Sequence, residues 1–447
     1  MFTEGAVGRH VLVMTGTSAV SLFAVFLVDI LTLVYVAMLH APQLLAAVGI
    51  AKVLIFANSA LVSGLIIAAT SVLSKRIGQH GPGAVAGQTF SLLLLVVGVA
   101  SITTALQLAF AQPLTHLLGA DQATWLAARN FIWLALPATV LQASMQMTAQ
   151  ILRAAGHSAR AFWVVLSGAA TLAIADPLLI FVMDLKLRGA GLAYVLSAVV
   201  SCSLGIYWVR RLVGLSRVTD VRLIRTHWAE ALRIGLPAVV GNMATPVAIA
   251  YLISVVASFG IEALAAMTVV DRVTQFAYCL FFAIPGALAP VLGQNVGAHL
   301  PARSLAAVSF TRKLVVGYGL LVWVLIMLLQ GVIADFYQLN GEGRALFQAF
   351  CQYGGLMWAV SSLDFISQAV FITMGRPWLV AVFAWVRVTA GNVPFIWAGA
   401  HWLGSGGALL GMLASNVLIA IASTLVASLA ARRFFERRPR AAQAQVT

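Results

Sequence analysis

VLVMTGTSAVSLFAVFLVDILTLVYVAML, residues 11–39, is the stretch of sequence that decides the fold. It is apolar over more than the roughly 20 residues that a helix needs to cross a bilayer. Its one charged side chain is Asp29, about ten residues and roughly 15 Å from the end of the stretch. An ionised carboxylate at that depth costs on the order of 2.5–3.5 kcal/mol, and it usually faces the bundle interior, where it meets a proton, a cation or a partner. We therefore predict a coupling site at Asp29, with an acid among the headgroups as the alternative.

The composition is that of an integral membrane protein, with 62% hydrophobic residues, 9% charged residues and a mean hydropathy of +0.99. The apolar runs are continuous rather than alternating, which favours helices over a β-barrel. The first run lacks a small-residue cleavage site, so we expect it to be retained. Cys202, Cys279 and Cys351 lie in separate apolar runs, and we interpret them as packing residues.

Motifs for ATP hydrolysis and for the commonest hydrolases do not occur in the sequence. No lysine follows a glycine, which excludes a Walker A loop, and neither HExxH nor GxSxG is present. We therefore expect a secondary transporter that uses no cofactor or metal. An intramembrane enzyme is the weaker alternative.

The net charge of +14 is concentrated in every second connection between apolar runs. This is the positive-inside pattern, and it predicts cytoplasmic termini and an even number of crossings rather than a nucleic-acid partner. The clusters are Lys75–Arg76, Arg153 with Arg160, Arg210 to Arg225, Arg303 to Lys313 and Arg432 to Arg440.

Twelve transmembrane helices in two lobes of six account for the apolar runs. Residues 1–213 form the predicted N-lobe and 231–431 the C-lobe, joined by a basic amphipathic linker at 214–230 on the inner surface. Residues 432–447 form a basic cytoplasmic tail. The predicted spans are 11–39, 45–73, 89–111, 123–150, 161–184, 189–213, 231–258, 263–292, 304–333, 344–374, 379–403 and 405–431.

The two lobes are repeats of each other, related by a constant offset of 219 residues. Because each lobe has an even number of spans, the copies share one orientation and are related by an axis along the membrane normal, an architecture that suits alternating access. The offset maps Leu45-Ala46-Ala47 onto Leu264-Ala265-Ala266, Gly78 onto Gly297, His80 onto His299, Pro82 onto Pro301 and Gly156 onto Gly375.

Three stretches of the chain resemble the multidrug and toxic compound extrusion (MATE) family. They are VDILTLVYVAMLHAPQLLAAVGI in the first hairpin, ADPLLIF with RGAGLAYVLS in spans five and six, and ALAPVLGQNVGAHLPARS after span eight. The likeness covers nearly the whole chain, including the two-lobe plan. Membership would imply antiport, in which a cationic organic compound leaves while protons or sodium ions enter.

Within this resemblance, Asp29 stands at the acid of the family's first helix and Asp176 at the acid of the Asp-Pro motif in helix five. Family members often carry Asn where this chain has Leu172, and a small hydroxyl residue where it has Tyr194. A sodium ion needs several oxygen ligands whereas a proton needs one carboxylate, so these departures favour protons. We expect the two acids to share a chamber. An outer-end acid bonded to backbone freed by Pro177 is the alternative for Asp176.

Asp364 resembles the helix-ten acid that some relatives use for cation coupling. Arg387 lies at a similar depth in the next span, on the other side of the hairpin. Since buried charges are usually paired, we favour a structural ion pair, with cation coupling at Asp364 as the alternative.

Several aromatic and polar side chains are candidates for a cleft that binds flat cations by cation–π contact, although most such residues in a bundle simply pack. The candidates are Tyr35, Met145, Tyr194, Asn242, Tyr278 and Phe281. The repeat offset also maps Lys52 onto Asp271, and we predict a gate pair that approaches when the outer side closes. The alternative has Lys52 reaching the outer headgroups and Asp271 paired with Arg272 or a neighbour.

These expectations describe a monomeric antiporter in the cytoplasmic membrane of a bacterium, coupled to protons or alternatively to sodium. Its partners would be membrane lipid and an amphipathic, cationic small molecule, as in multidrug efflux and antibiotic resistance. A flippase or exporter of a lipid-linked or anionic precursor is the rival. An arginine-rich cleft would indicate that rival, but outside the basic clusters and the span ends the spans hold only Lys52, Arg272 and Arg387.

Overall fold

Every regular element in the part of the chain that the structure describes is a helix. The structure is a computed structural model, and it describes residues 1–39, 42–118 and 121–443. The helices are α1 (Val7–Ala37), α2 (Pro42–His80), α3 (Ala86–Ala109), α4 (Ala111–Leu117), α5 (Gln122–Ala154), α6 (Ser158–Pro177), α7 (Lys186–Leu212), α8 (Val221–Ala257), α9 (Ile261–Ala277), α10 (Cys279–Gly297), α11 (Pro301–Phe336), α12 (Gly341–Ala349), α13 (Gly355–Ser361), α14 (Leu363–Thr373), α15 (Trp378–Val386) and α16 (Val393–Gln443). Wider π-helical turns occupy Leu178–Val182, Phe350–Gly354 and Arg387–Asn392.

These helices form twelve membrane spans, as predicted. Ten segments among the described residues are long and apolar enough to cross a bilayer. One of them, Trp378–Glu436, is broken at Gly404, whose φ of +69° is not helical, so this segment holds two spans. The 33 residues of α5 supply the remaining span, since their length exceeds what a bilayer needs.

The helices group into two compact units, and the division falls inside helices rather than between them. The first unit contains Val20–Gly235, and the second contains Phe2–Ala19 together with the residues from Leu236 onward. The first part of α1 therefore belongs to the second unit, and the first part of α8 belongs to the first unit. The predicted lobes, 1–213 and 231–431, differ from this division because the continuity of a helix does not show which neighbours each half contacts.

The stretch predicted as a separate surface linker is largely part of α8. Only residues 213–220 are non-helical, and Val221 begins a helix that runs without interruption into the seventh span. Asp220 caps this helix, because its Oδ1 accepts a hydrogen bond of 2.8 Å from the backbone N–H of Arg222. The basic amphipathic sequence is thus an extension of the span, which corrects the prediction of an independent linker at 214–230.

The first parts of α1 and α8 dock in equivalent ways, which shows the repeat in three dimensions. In the first unit, His227 Nε2 accepts from Arg76 at 3.2 Å, and its Nδ1 lies 3.1 Å from Ser91 Oγ. The 219-residue offset maps His227 back onto Gly8 and Ser91 forward onto Phe310. In the second unit Gly8 lies directly on the Phe310 ring, where an added Cβ would be 2.9 Å from a ring carbon. The same two helix faces therefore meet in both units.

A buried polar network fixes α2, α3 and α5 in the first unit. Asn58 Nδ2 donates to Thr104 Oγ1 and to Thr139 Oγ1, both at 2.8 Å, while Thr103 Oγ1 donates to Asn58 Oδ1 at 2.7 Å. The amide is satisfied on both of its atoms, so the network acts as an interhelical clamp. It holds α2, which carries Lys52, in a fixed register.

The core of the second unit is built around α10 and its aromatic side chains. Tyr278 and Phe281 are fully buried and stack with their ring centroids 5.2 Å apart. The hydroxyl of Tyr278 donates to the main-chain oxygen of Gly355 at 2.9 Å. These contacts tie α10 to α13 and place α14, which follows α13 and carries Asp364.

Candidate functional site

Asp176 is a buried acid of the first unit with an incomplete set of partners. The residue is 0% exposed and lies one position before the end of α6. Its Oδ2 accepts a hydrogen bond from Thr32 Oγ1 of α1, while its buried Oδ1 has no hydrogen-bond partner among the described residues. A buried carboxylate with so few donors is costly, and this arrangement suits a group that binds and releases a proton.

Thr32 can serve Asp176 in both protonation states. Its hydroxyl lies within bonding distance of the Asp176 carboxylate and also 3.1 Å from the main-chain oxygen of Val28. A hydroxyl carries one proton and can also accept. When Asp176 is ionised, Thr32 donates to it. When Asp176 is protonated, the acid can donate to Thr32 Oγ1 while the threonine proton turns to Val28.

The backbone around Asp176 is irregular in a way that α7 holds in place. Pro177 ends α6 and is followed by the π-helical turn Leu178–Val182, a kind of local widening that is frequent at functional sites. Gly189 of α7 packs directly on this turn, since an added Cβ would lie 2.6 Å from the main-chain oxygen of Leu179. The position of Asp176 therefore depends on close contact between two backbones.

Asp29 forms an ion pair with Lys52, which the sequence did not predict. Lys52 Nζ lies 3.4 Å from Asp29 Oδ1 and 2.9 Å from the main-chain oxygen of Asp29. The Asp29 side chain is 51% exposed and that of Lys52 is 27% exposed. Because charged groups in spans almost never face lipid, we assign this pair to a water-accessible surface. The buried acid without a cationic partner is therefore Asp176 rather than Asp29.

Asp364 and Arg387 form the ion pair favoured by the sequence analysis. Arg387 Nη1 donates to Asp364 Oδ2 at 3.1 Å, and the side chains are 20% and 9% exposed, respectively. Gln368 Nε2 also donates to Asp364 Oδ2, at 3.0 Å. Arg387 is the first residue of a π-helical turn, Arg387–Asn392, in the eleventh span. The pair leaves Asp364 neutralised within its own unit.

Asp271 and Arg272 share a partner in the second unit. Gln275 Nε2 donates to Asp271 Oδ2 at 2.7 Å, and Arg272 Nη1 donates to Gln275 Oε1 at 3.2 Å. Both Lys52 and Asp271 thus have partners within their own units, and their approach as a gate pair stays a prediction. Arg272 also lines a cavity of about 340 Å³ together with Ala265, Thr268, Val269, Tyr337 and Leu339.

The candidate cleft residues divide into packed and partly exposed side chains. Tyr278 and Phe281 belong to the core of the second unit, and Met145 is 7% exposed in the core of the first, so we correct their assignment to a binding cleft. Their large apolar surfaces are already covered by neighbouring helices. Tyr35, Tyr194 and Asn242 are partly exposed and stay candidates.

Two polar partners that the structure places at the acids were not predicted from the sequence. Thr32 contacts Asp176, and Gln368 contacts Asp364. A signal was available, because Thr32 follows Asp29 by three residues and Gln368 follows Asp364 by four, spacings that put two side chains on one helix face.

Comparison with known proteins identifies the family. A sequence model of the MatE family matches the chain twice, at residues 18–177 and 237–398. The chain belongs to the MatE family. The two matches start 219 residues apart, which is the offset of the internal repeat. The predicted resemblance is therefore confirmed, and this MatE protein is a multi-pass membrane transporter.

Two curated proteins are similar in sequence to this MatE protein. An uncharacterised 21 kDa protein of Pseudomonas savastanoi is 40% identical over 232 residues, which cover 51% of this chain and 75% of that one. A FAD transporter of Shewanella oneidensis is 24% identical over 392 residues, which cover 85% of each chain.

Solved structures of MATE transporters share the fold of this MatE protein. VcmN of Vibrio cholerae, crystallised as an aspartate-to-asparagine mutant, superposes with a TM-score of 0.91 at 20% identity, covering 96% of this chain and 98% of that one. A transporter of the MOP superfamily from Pyrococcus furiosus, described as having a binding pocket of reverse polarity, superposes with a TM-score of 0.88 at 20% identity. That comparison covers 97% of this chain and 98% of that one.

Proposed function

We propose that this MatE-family protein is a secondary antiporter that exports an amphipathic, cationic small molecule in exchange for protons. The observation that carries the proposal is the buried carboxyl of Asp176, whose Oδ1 lacks a hydrogen bond among the described residues and whose Oδ2 meets the hydroxyl of Thr32. This arrangement accommodates a proton without any other change of partners. Asp176 is the proposed coupling residue, and Asp29, which the sequence also singled out, lies in an ion pair with Lys52 in the same unit.

The proposed cycle follows from the charge of these acids. When the protein is open to the outside, a proton binds Asp176, removes its negative charge and so weakens the attraction for a cationic substrate, which leaves. When the protein is open to the cytoplasm, the proton is released and the restored charge attracts a new substrate cation. Each positive charge that moves inward gains about 2.3 kcal/mol per 100 mV of membrane potential.

Asp176 differs from Asp29 and Asp364 in having no ion pair among the described residues. Outside the basic clusters and the span ends, the spans contain the acids Asp29, Asp176, Asp271 and Asp364 and the bases Lys52, Arg272 and Arg387. Two of the acids are in direct ion pairs, Asp29 with Lys52 and Asp364 with Arg387. An acid without an ion pair, as at Asp176, suits exchange of one cation for one proton.

Coupling to protons is better supported than coupling to sodium. A sodium ion at Asp176 would need several oxygen ligands, and the oxygen that contacts this carboxylate is that of Thr32. Leu172, which lies one turn before Asp176, is 9% exposed and offers no side-chain oxygen. A proton requires only the carboxylate itself.

Export of a planar aromatic anion is the second candidate function. The relative from Shewanella oneidensis is a FAD transporter, and FAD combines an aromatic ring system with negatively charged phosphates. Against this candidate, three cationic side chains of the spans are already engaged: Lys52 by Asp29, Arg387 by Asp364 and Arg272 by Gln275. A cation therefore remains the first choice.

The orientation proposed from the charge pattern has both termini in the cytoplasm of a bacterial cell, with the chain in its cytoplasmic membrane. Movement of the substrate from the cytoplasm to the outside of the cell is then export.

Proteoliposomes test the proposed function directly. Purified protein would be offered a panel of organic cations, with FAD as the anionic comparison, under an imposed pH gradient and separately under a sodium gradient. We expect uphill movement of a cation under the pH gradient alone. Movement of FAD but of no cation would favour the second candidate, and dependence on the sodium gradient would overturn proton coupling.

A further inference from the structure

The ion pair between Lys52 and Asp29 has a consequence for the number of protons exchanged. Lys52 Nζ contacts both Oδ1 of Asp29, at 3.4 Å, and the main-chain oxygen of the same residue, at 2.9 Å. The ammonium is thus anchored to α1 at two atoms. If Asp29 took up a proton, this ammonium would lose the carboxylate that compensates its charge.

We propose that Lys52 is a built-in counter-ion that withholds Asp29 from proton exchange, so that Asp176 alone carries one proton in each transport cycle. This inference rests on the proposed proton coupling and adds its stoichiometry. Lys52 is a positioning residue in this scheme, because it acts through Asp29 and not on the transported proton.

The surroundings of the two acids differ in the way the inference requires. Asp176 of α6 is 0% exposed and bonded to the neutral hydroxyl of Thr32, whereas Asp29 is half exposed and bonded to a cation. Lys52 and Asp29 also act on Asp176 electrostatically, and Tyr194 of α7 lies within electrostatic range of Asp29. Since Lys52 is in direct contact with Asp29 and not with Asp176, it is the cation that decides whether one or both of these two acids are uncompensated.

Removal of Lys52 should convert a one-proton transporter into a two-proton transporter. In Lys52→Met, Asp29 loses its counter-ion and joins Asp176 as an exchanging acid. In the double variant Lys52→Met/Asp29→Asn both charges are gone, and the stoichiometry should return to one. Lys52→Arg keeps the charge and should also give one. Lys313→Met, which removes an exposed lysine from the ninth span, is the matched control.

The first measurement is the null point of ethidium flux in proteoliposomes clamped at zero membrane potential. The logarithm of the balancing ethidium ratio is plotted against the pH difference, and the slope equals the number of protons exchanged per ethidium. Wild type, Lys52→Arg and Lys313→Met should give a slope of one, so that each pH unit balances an ethidium ratio of about tenfold. Lys52→Met should give a slope of two.

The second measurement needs no substrate and reads the protonation of carboxyl groups directly. Infrared difference spectra of the purified protein between about pH 5 and 8 report the C=O stretching band of protonated carboxyl groups. When Lys52 is present, Asp176→Asn should reduce this band, while Asp29→Asn should leave it unchanged. When Lys52 is replaced by Met, Asp29→Asn should also reduce the intensity of the band.

The outcomes separate this inference from the proposed function. A wild-type slope of two, or loss of the band on Asp29→Asn in the presence of Lys52, would overturn the inference and leave proton coupling intact. An unchanged slope and spectrum in Lys52→Met would do the same. A band that is unaffected by both Asp176→Asn and Asp29→Asn would overturn the proposed function and, with it, the inference.

Discussion

Breaking the Asp364–Arg387 ion pair should destabilise the second unit, and removing both charges should restore much of the loss. The pair joins the tenth and eleventh spans with a distance of 3.1 Å between Arg387 Nη1 and Asp364 Oδ2. In Arg387→Met, Asp364 keeps the amide of Gln368 as its one donor among the described residues. In Asp364→Leu, the guanidinium loses its carboxylate but stays 20% exposed.

The structure sets the expected size of each effect. Loss of one partner of a buried pair costs about 3–5 kcal/mol. For Arg387→Met the loss of unfolding free energy has an upper limit of about 4 kcal/mol at pH 7. The carboxylate left without its partner can bind a proton instead, and this costs about 1.4 kcal/mol for each pH unit above the usual pKa of Asp. We expect about 3 kcal/mol for Asp364→Leu, because water reaches part of Arg387. The double variant should cost less than the sum of the singles by at least about 2 kcal/mol.

Equilibrium unfolding by SDS in mixed micelles measures these free energies. The pair between Arg344 and Asp335, with a distance of 2.9 Å between Arg344 Nη1 and Asp335 Oδ1, is the matched control, because its side chains are 39% and 67% exposed. Its double-mutant cycle should show a coupling of about 0–1 kcal/mol. Strictly additive effects for Asp364 and Arg387 would refute the argument and return Asp364 to the candidates for cation coupling.

Three further predictions concern other parts of the chain. In proteoliposomes, Thr32→Val should abolish pH-driven export whereas Thr32→Ser should retain it, because only a hydroxyl can bond both the ionised and the protonated form of Asp176. Equal activity of the two variants would contradict the role of Thr32. Gly8→Val should cost about 1–3 kcal/mol in SDS unfolding because the new side chain meets Phe310, whereas Gly16→Val, which has open space around it, should cost clearly less. The Thr124 hydroxyl and backbone N–H lower the pKa of Asp121 below its usual 3.8. This cap therefore stabilises α5 above pH 3.8, and the stabilisation is lost as the pH falls through the lowered pKa. Hydrogen exchange in the first turn of α5 should then be faster in Asp121→Ala than in wild type near neutral pH, and the two rates should converge in acid.

The fold could be predicted from the sequence because its signals are long and redundant. Runs of apolar residues longer than a bilayer needs set the spans, and a single offset relates the two halves over more than a hundred residues. The division of α1 and α8 between the two units could not be predicted in this way. The sequence of a helix shows which of its faces is apolar, but not which neighbouring helix that face contacts.

The candidate site was predicted in its residues but not in its pairing. Asp29, Asp176 and Asp364 were all singled out, and the pair of Asp364 with Arg387 followed from their equal depth in one hairpin. The partner of Lys52 was sought across the repeat, at Asp271, whereas the structure pairs it with Asp29 of the adjacent span. Depth alone cannot choose between two acids, because the choice depends on how each helix is rotated about its axis.

The most direct test of proton coupling through Asp176 is pH-driven export by Asp176→Asn in proteoliposomes. The asparagine keeps the shape of the side chain and can still bond Thr32, but it cannot exchange a proton. We predict that an imposed pH gradient no longer drives uphill export of the cation that wild type transports, while exchange of labelled for unlabelled cation without a gradient continues. Uphill export by Asp176→Asn at a rate near that of wild type would contradict the account.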